Sequence, residues 1–495
     1  MIPTSSSARF LFISFRLRQL TLVIFLGVFC VRVAAATEPD WFEKFRQSAT
    51  AEELYRFLYA MPKGGDLHNH LTGSNFSEWW YQLATDQQRN GGYRYYTKVA
   101  IHNCQPYGGN EFGFAPYLLL FRNIQASTYA RLSECEQSEF FPLEELSAEQ
   151  KSAWLNSLRL DKDYEGRDEF FQTHWQRLGE LAGNPFINAE MIVRNMQAFA
   201  GEGLVYLETQ EGTRFYLRAD GEAYEPEAVV EIFRQRLSQK DARATGVEIR
   251  LQYYLLRFTD SAEADLEWIY DFVSKHRDLF VGVNMVGRED NDKGYPLRFL
   301  ATLRKLRHQY SGIHLSIHAG EVDEPNHHVR DTLLLGAERI GHGVNLISDP
   351  DTMLLMRNNR YLVEINLISN LLLEYVDSYD QHPFPEYLRT GIPVALSTDD
   401  RGMWDSTMTD EFYVAVTEFN LSWNEIVLLS RNSLIYSFVD EPTKERLLKN
   451  LDQRLAAFEK KFRRNPAAIL SSTTPKKHGF ICRHYQLCEA GEATP

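Results

Sequence analysis

His68-Asn69-His70 sets two imidazoles at i and i+2. On a β-strand that spacing turns both to one side, where one metal ion could be held by the pair. Taken alone, such a pair is more often structural or exposed. Three further motifs change its meaning. His318-Ala319-Gly320-Glu321 follows the apolar run Ile313–Ile317 and adds an imidazole and an acid. Ser397-Thr398-Asp399-Asp400 ends another apolar run with adjacent carboxylates, and Gly341-His342-Gly343 leaves space around a further imidazole. Each has a plain structural reading: a satisfied core histidine, a carboxylate favoured by a helix N-terminus, or an aspartate capping the next helix. Together, three neutral imidazoles, one carboxylate and an open position make a coherent hydrolytic zinc site. Its charge would lower a water's pKa to about 7.

Residues so far apart in sequence need a scaffold that gathers strand ends. From about residue 200, short β-rich runs alternate with longer amphipathic stretches, the pattern of βαβ units. Strands are expected at Leu204–Glu208, Val247–Leu256, Leu279–Val286, Ile313–His318, Arg339–His342, Tyr361–Asn366 and Ile392–Ser397. An eighth is expected at Gly65–His70, after a helix at Ala51–Tyr59 that Pro62 and two glycines terminate. Eight parallel strands predict a (β/α)8 TIM barrel, whose sites assemble at the C-terminal ends of the strands. An open doubly wound sheet would want a glycine-rich phosphate loop after the first strand, and Leu71-Thr72-Gly73-Ser74 is not one. Residues 71–203 exceed any simple βα connection and imply an insertion between the first strand and the second.

The net charge of −14 disfavours phosphate backbones, and no basic stripe with interleaved aromatics occurs, so no nucleic-acid partner is expected. The N-terminus reads as a secretory signal: basic residues up to Arg18, an apolar run Leu20–Cys30 and small residues Ala34–Ala36. The run is shorter than the ~20 residues of a spanning helix, so no stable membrane anchor is expected. Cleavage would leave Cys104, Cys135, Cys482 and Cys488 in a secreted or periplasmic protein. Cys104 with Cys135 would staple the insertion and Cys482 with Cys488 would close a short loop; four free thiols are the alternative. The tail after about Asn465 reads as a polar extension.

The run Met61-Pro62-Lys63-Gly64-Gly65-Asp66-Leu67-His68-Asn69-His70-Leu71-Thr72-Gly73-Ser74, followed by the His-Ala-Gly-Glu, Gly-His-Gly and Ser-Thr-Asp-Asp motifs, resembles the adenosine deaminase family. The signal, the Met-Pro-Lys-Gly-Gly opening and the cysteine-bearing insertion look most like its secreted, growth-factor-related branch. The resemblance spans roughly residues 60–450. With the readings above, the expected organisation is a signal peptide at 1–36, a metal-dependent deaminase barrel over 37–464 with an inserted subdomain at about 85–165, and a C-terminal extension at 465–495. The resemblance also implies one zinc per chain held by His68, His70, His318 and Asp399. Glu321 would protonate the purine nitrogen beside the attacked carbon, and His342 would orient or deprotonate the attacking water. Asp400 would bond the imidazole-ring nitrogen, and the backbone of Gly287 the remaining pyrimidine-ring nitrogen. The implied reaction converts adenosine, or 2'-deoxyadenosine, to inosine and ammonia.

Independent chemistry supports the acid, because C6 of adenine resists attack until its ring nitrogen is protonated. Two departures stand out. The family's cytosolic enzymes carry a ribose-contacting acid two residues after the second metal histidine, where this chain has Thr72. The growth-factor branch has a longer dimer-forming segment than residues 37–60, which leaves a homodimer open. Rival readings are a deaminase of another adenine derivative, another mononuclear amidohydrolase, and a secreted binding or signalling protein with a dead site. Two-metal amidohydrolases use a carboxylated lysine at the end of the fourth strand, and Val283–Gly287 has none. All the proposed polar site residues are intact, against the dead site.

Overall fold

Strands that are buried on both faces belong to a parallel sheet wrapped in helices. The computed structural model describes residues 40–488 apart from 105–117, 291–292, 323 and 325, so the expected signal segment lies outside the described residues. In chain order the strands are β1 (Gly65–Asp66), β2 (Tyr95–Lys98), β3 (Asn123–Gln125), β4 (Phe140–Pro142), β5 (Tyr206–Gln210) and β6 (Glu248–Leu256). There follow β7 (Phe280–Val286), β8 (His314–Ala319), β9 (Arg339–His342), β10 (Leu362–Ile365) and β11 (Val394–Leu396). One sheet takes the order β1-β5-β6-β7-β8-β9-β10-β11. All its pairings are parallel. Every residue of β5 and β7 is buried, and helices such as Ala262–Lys275 turn Leu266, Ile269, Tyr270 and Val273 toward the core. This is a (β/α)8 TIM barrel.

The barrel closes where β1 meets β11, and the closure is made by site residues. Asn69 and Asp399 form a parallel bridge. The Asp399 N–H donates to the His68 carbonyl at 2.9 Å, and the His70 N–H to the Asp399 carbonyl at 3.4 Å. The first strand is shorter than the expected Gly65–His70. Past Asp66 side chains take over from the ladder: the His68 N–H donates to Asp66 Oδ1 at 3.1 Å and the Leu67 N–H to Ser397 Oγ at 3.4 Å.

Lys63 of the Met-Pro-Lys-Gly-Gly run is a buried tie between helices. Its Nζ donates to the Leu58 carbonyl at 2.5 Å and to the Glu202 carbonyl at 2.7 Å. These lie at the C-terminal ends of the helices Ala51–Ala60 and Pro185–Gly201, where a cation suits the dipoles.

Within residues 71–203, β3-β2-β4 form a separate antiparallel sheet. A Cys104–Cys135 disulfide ties this region, and Cys482–Cys488 closes a loop near the C-terminus. The tail departs from the polar extension expected of its composition. Helices Pro466–Ser472 and Gly479–Tyr485 bury Ile469, Phe480 and Ile481, and His478 stacks on Phe76 at 3.9 Å between centroids. Among the described residues, no helix is long and apolar enough to cross a membrane.

Candidate metal centre

His68 and His70 project to the same side of the β1 extension, His318 stands near the end of β8, His342 ends β9, and Asp399 follows β11. Ligand atoms of His68, His318, His342 and Asp399 all lie within 4.8 Å of one another, as do those of His70, Asp399 and Asp400. His70 Nε2 is 3.2 Å from His318 Nε2 and 3.2 Å from Asp399 Oδ1. The four expected ligands therefore converge. One of the four, Asp399, and the neighbouring His342 are held with positive φ, 54° and 64°; side chains other than glycine adopt that region at a cost, and such strain gathers at functional sites. Gly341 is required by close approach, since a Cβ there would lie 2.7 Å from His68 Cε1.

The atoms behind the rings decide what each presents to the centre. His68 Nδ1 lies 2.8 Å from Glu364 Oε2. Burial opposes ionisation of Glu364, but Arg339 and the bond to His68 outweigh it and hold the carboxyl below its ordinary range. His68 therefore donates from Nδ1 and turns its buried Nε2 toward Asp399 Oδ1, 3.5 Å away. His318 Nδ1 lies 3.0 Å from Asn284 Oδ1 and 3.1 Å from the Met285 carbonyl, both acceptors. Both rings thus offer an Nε2 lone pair, the arrangement of a metal-ligating histidine whose other nitrogen is held from behind. Asp399 accepts from Ser369 Oγ at 2.7 Å. Burial works against its charge, yet bonds to His68 and His70 keep its carboxyl well below the usual range. Lone pairs and a carboxylate aimed at one point suit a cation.

The remaining carboxyls behave differently. Glu321 is pushed well above the usual range, first by burial and then by Asp399 and Glu289. Its Oε1 is 3.7 Å from His342 Nε2, and its backbone N–H donates to Glu289 Oε2. Asp400 is likewise pushed up, by burial and by Asp399; its buried Oδ1 has no partner. That carboxyl fills the space beside Gly73, where a Cβ would collide with it. The Gly287 carbonyl is engaged by Arg257 Nε at 3.0 Å, and the same guanidinium reaches the His318 carbonyl at 2.6 Å. The centre thus pairs a set of groups that could hold a cation with two carboxyls whose burial pushes them toward the neutral form.

Several contributors escaped the sequence reading: Glu364, Asn284, Ser369, Arg257, Asn370, His382 and Trp175. Glu364 had a signal, being a charge in the buried run Leu362–Ile365. Trp175 follows the π-helical turn Phe170–His174 of the insertion, a feature frequent at functional sites. Its ring meets His70 edge-on at 6.5 Å between centroids.

A closed parallel barrel with a buried His/Asp centre at the C-terminal ends of its strands is a barrel of the metal-site class. The chain belongs to the adenosine deaminase family, whose model matches residues 145–454. It is 34% identical over 197 residues to an adenosine deaminase of Plasmodium gallinaceum, covering 39% of this chain and 52% of that protein. It spans about half the length of the curated relatives it matches. Among solved structures, the ADAL–IMP complex superposes with TM-score 0.60 at 19% identity, covering 81% of this chain and 99% of that one. An amidohydrolase from Burkholderia ambifaria with bound zinc does so with TM-score 0.59 at 18% identity, covering 84% and 96%. These likenesses concern the fold.

Proposed function

We propose that the protein is a zinc-dependent hydrolytic deaminase that converts adenosine, or 2'-deoxyadenosine, to inosine and ammonia. The observation that carries this reading is the division within one buried centre. His68 and His318 are held from behind at Nδ1 and turn Nε2 inward, whereas burial pushes the carboxyls of Glu321 and Asp400 toward their neutral form. His68, His70, His318 and Asp399 would hold the ion, which when bound supplies the positive charge that makes hydroxide available near neutral pH. Glu321 donates its proton to the ring nitrogen beside C6, opening that carbon to attack. Asp400 donates to the imidazole-ring nitrogen and fixes the purine's orientation. Trp175 stands edge-on to His70 beside this centre.

Thr72, where the cytosolic enzymes carry a ribose-binding acid, leaves the sugar preference as the point to measure. The decisive assay is a panel of adenine, adenosine, 2'-deoxyadenosine, 5'-deoxyadenosine and adenosine monophosphate, followed by ammonia release and the fall in adenine absorbance. Turnover of the nucleosides with about one zinc per chain is expected. A metal-free preparation, or one inert on the whole panel, sinks the reading. Preference for the monophosphate would make it a nucleotide deaminase, the reading suggested by a neighbour bound to IMP.

We further propose that residues 1–36 direct export to an oxidising compartment, in keeping with the Cys104–Cys135 and Cys482–Cys488 pairs.

A further inference from the structure

His342 could serve the reaction as a base or as a donor, and bonds behind the ring choose between them. The choice begins at His382, which is 2% exposed and has both ring nitrogens engaged. The Phe384 backbone N–H lies 3.1 Å from His382 Nδ1. A backbone amide only donates, so Nδ1 is an acceptor. Burial pushes the His382 pKa down to about 3, so the ring is neutral and its one hydrogen sits on Nε2. That nitrogen lies 3.1 Å from Asn370 Oδ1. Turning the Asn370 amide around would ask His382 to accept at both nitrogens, which a neutral imidazole cannot do. The amide orientation is therefore determined by its surroundings rather than by convention.

Asn370 Nδ2 then faces His342 Nδ1 at 2.9 Å and must donate to it. His342 Nδ1 is an acceptor, and the ring's hydrogen lies on Nε2. Asn366 Nδ2 is 3.3 and 3.4 Å from the two ring nitrogens, nearly equidistant, and favours neither. His342 Nε2 points to the centre, 3.7 Å from Glu321 Oε1 and 4.0 Å from Asp399 Oδ2.

We propose that Asn370 and His382 are positioning residues that hold His342 in the Nε2–H tautomer, so that His342 donates a hydrogen bond to the attacking oxygen and does not take its proton. The inference rests on the deaminase reading above for its chemistry, though not for the tautomer itself. A proton arriving at His342 would need Nδ1, where an N–H of Asn370 already points; accepting it means turning the amide and breaking its bond to His382. The proton balance closes without His342. Glu321 gives its proton to the ring nitrogen, one proton of the attacking water restores the Glu321 acid, and the other leaves with the amine as ammonia. The C–O bond forms first and makes C6 tetrahedral, and the C–N bond breaks once the second proton has reached the amine. The donor role assigned to His342 is that of an oxyanion-directed N–H.

The test uses the full-length, zinc-loaded protein. Correlation spectra of protein labelled with 15N in its histidine rings, with His342→Ala to assign the signals, should show His342 protonated at Nε2 and bare at Nδ1. The reverse pattern overturns the proposal. Asn370→Asp places a carboxylate between the two rings, which favours Nδ1–H and a bare Nε2 on His342. It should lower kcat by about 100-fold or more with zinc retained, as expected when a catalytic histidine is held in the wrong tautomer. Unchanged or raised kcat would mean that His342 acts as a base. His382→Gln can still donate an amide N–H to Asn370 Oδ1 and should exceed His382→Leu in kcat by about tenfold, with KM alike. Equal losses in both would reduce His382 to packing and overturn its part. A wild-type protein with the Nε2–H signal and no turnover on the panel would sink the deaminase reading alone.

Discussion

The two sides of the centre use one residue type for opposite ends. Behind His68 and His318 stand oxygen acceptors, Glu364 on one and Asn284 with the Met285 carbonyl on the other. Behind His342 stands a donor, Asn370 Nδ2. An acceptor behind the ring leaves a lone pair in front and makes a metal ligand; a donor behind leaves an N–H in front. All three rings are buried, so burial does not distinguish them. What a histidine does here is set by the atom it turns its back on.

The sharpest way to break this division is to remove the proton donor on the His342 side. Glu321→Gln keeps the volume and loses the acid. We expect kcat to fall by about 1000-fold, within the usual worth of a general acid, with zinc content unchanged on metal analysis. Loss of zinc together with activity would show that the two sides are not separable.

The division also explains how much could be read from the chain. The eight barrel strands were legible because parallel strands buried on both faces are continuous apolar runs, as in Phe280–Val286. The convergence of the cluster was legible because the residues expected to hold the metal end those runs at fixed short motifs. The groups behind the rings were not, since their partners come from other strands and helices. Asn284 in Val283-Asn284-Met285 and Asn370 in Ser369-Asn370-Leu371 carry no local pattern. His382 sits 40 residues beyond the His342 whose tautomer it helps set. The tail was misread for a related reason: the polar run Ser471-Ser472-Thr473-Thr474-Pro475 stands out in it, yet Ile469, Phe480 and Ile481 are the side chains it buries.

A middle-sized effect is expected on the ligand side. Glu364 is the acceptor behind His68 and also meets Arg339 at 2.6 Å and Ser316 Oγ at 3.0 Å. Glu364→Gln leaves His68 without a carboxylate and should weaken zinc binding by about 10- to 100-fold in chelator competition. The pH dependence has a definite sign. Because the folded protein holds this carboxyl below its ordinary range, its contribution is present above the unfolded pKa and is lost as the pH falls through the folded value. The Gln variant should lack that acid-side component. Unchanged zinc affinity would remove the assigned role of the acceptor behind the ring.

The smallest effect separates His318 from His68. His318 Nδ1 has two acceptors, and Asn284→Ala removes only one of them, leaving the Met285 carbonyl at 3.1 Å. Zinc affinity should fall by only a fewfold, less than for Glu364→Gln. The variant pays elsewhere: Asn284 Nδ2 donates to Gln252 Oε1 at 2.9 Å, and leaving that buried oxygen unsatisfied should cost about 1–3 kcal/mol in denaturant unfolding. A stability loss with near-normal zinc binding would show that the carbonyl alone keeps the Nε2 lone pair of His318 facing the ion. A zinc loss as large as that of the Glu364 variant would instead make Asn284 the atom that sets the tautomer.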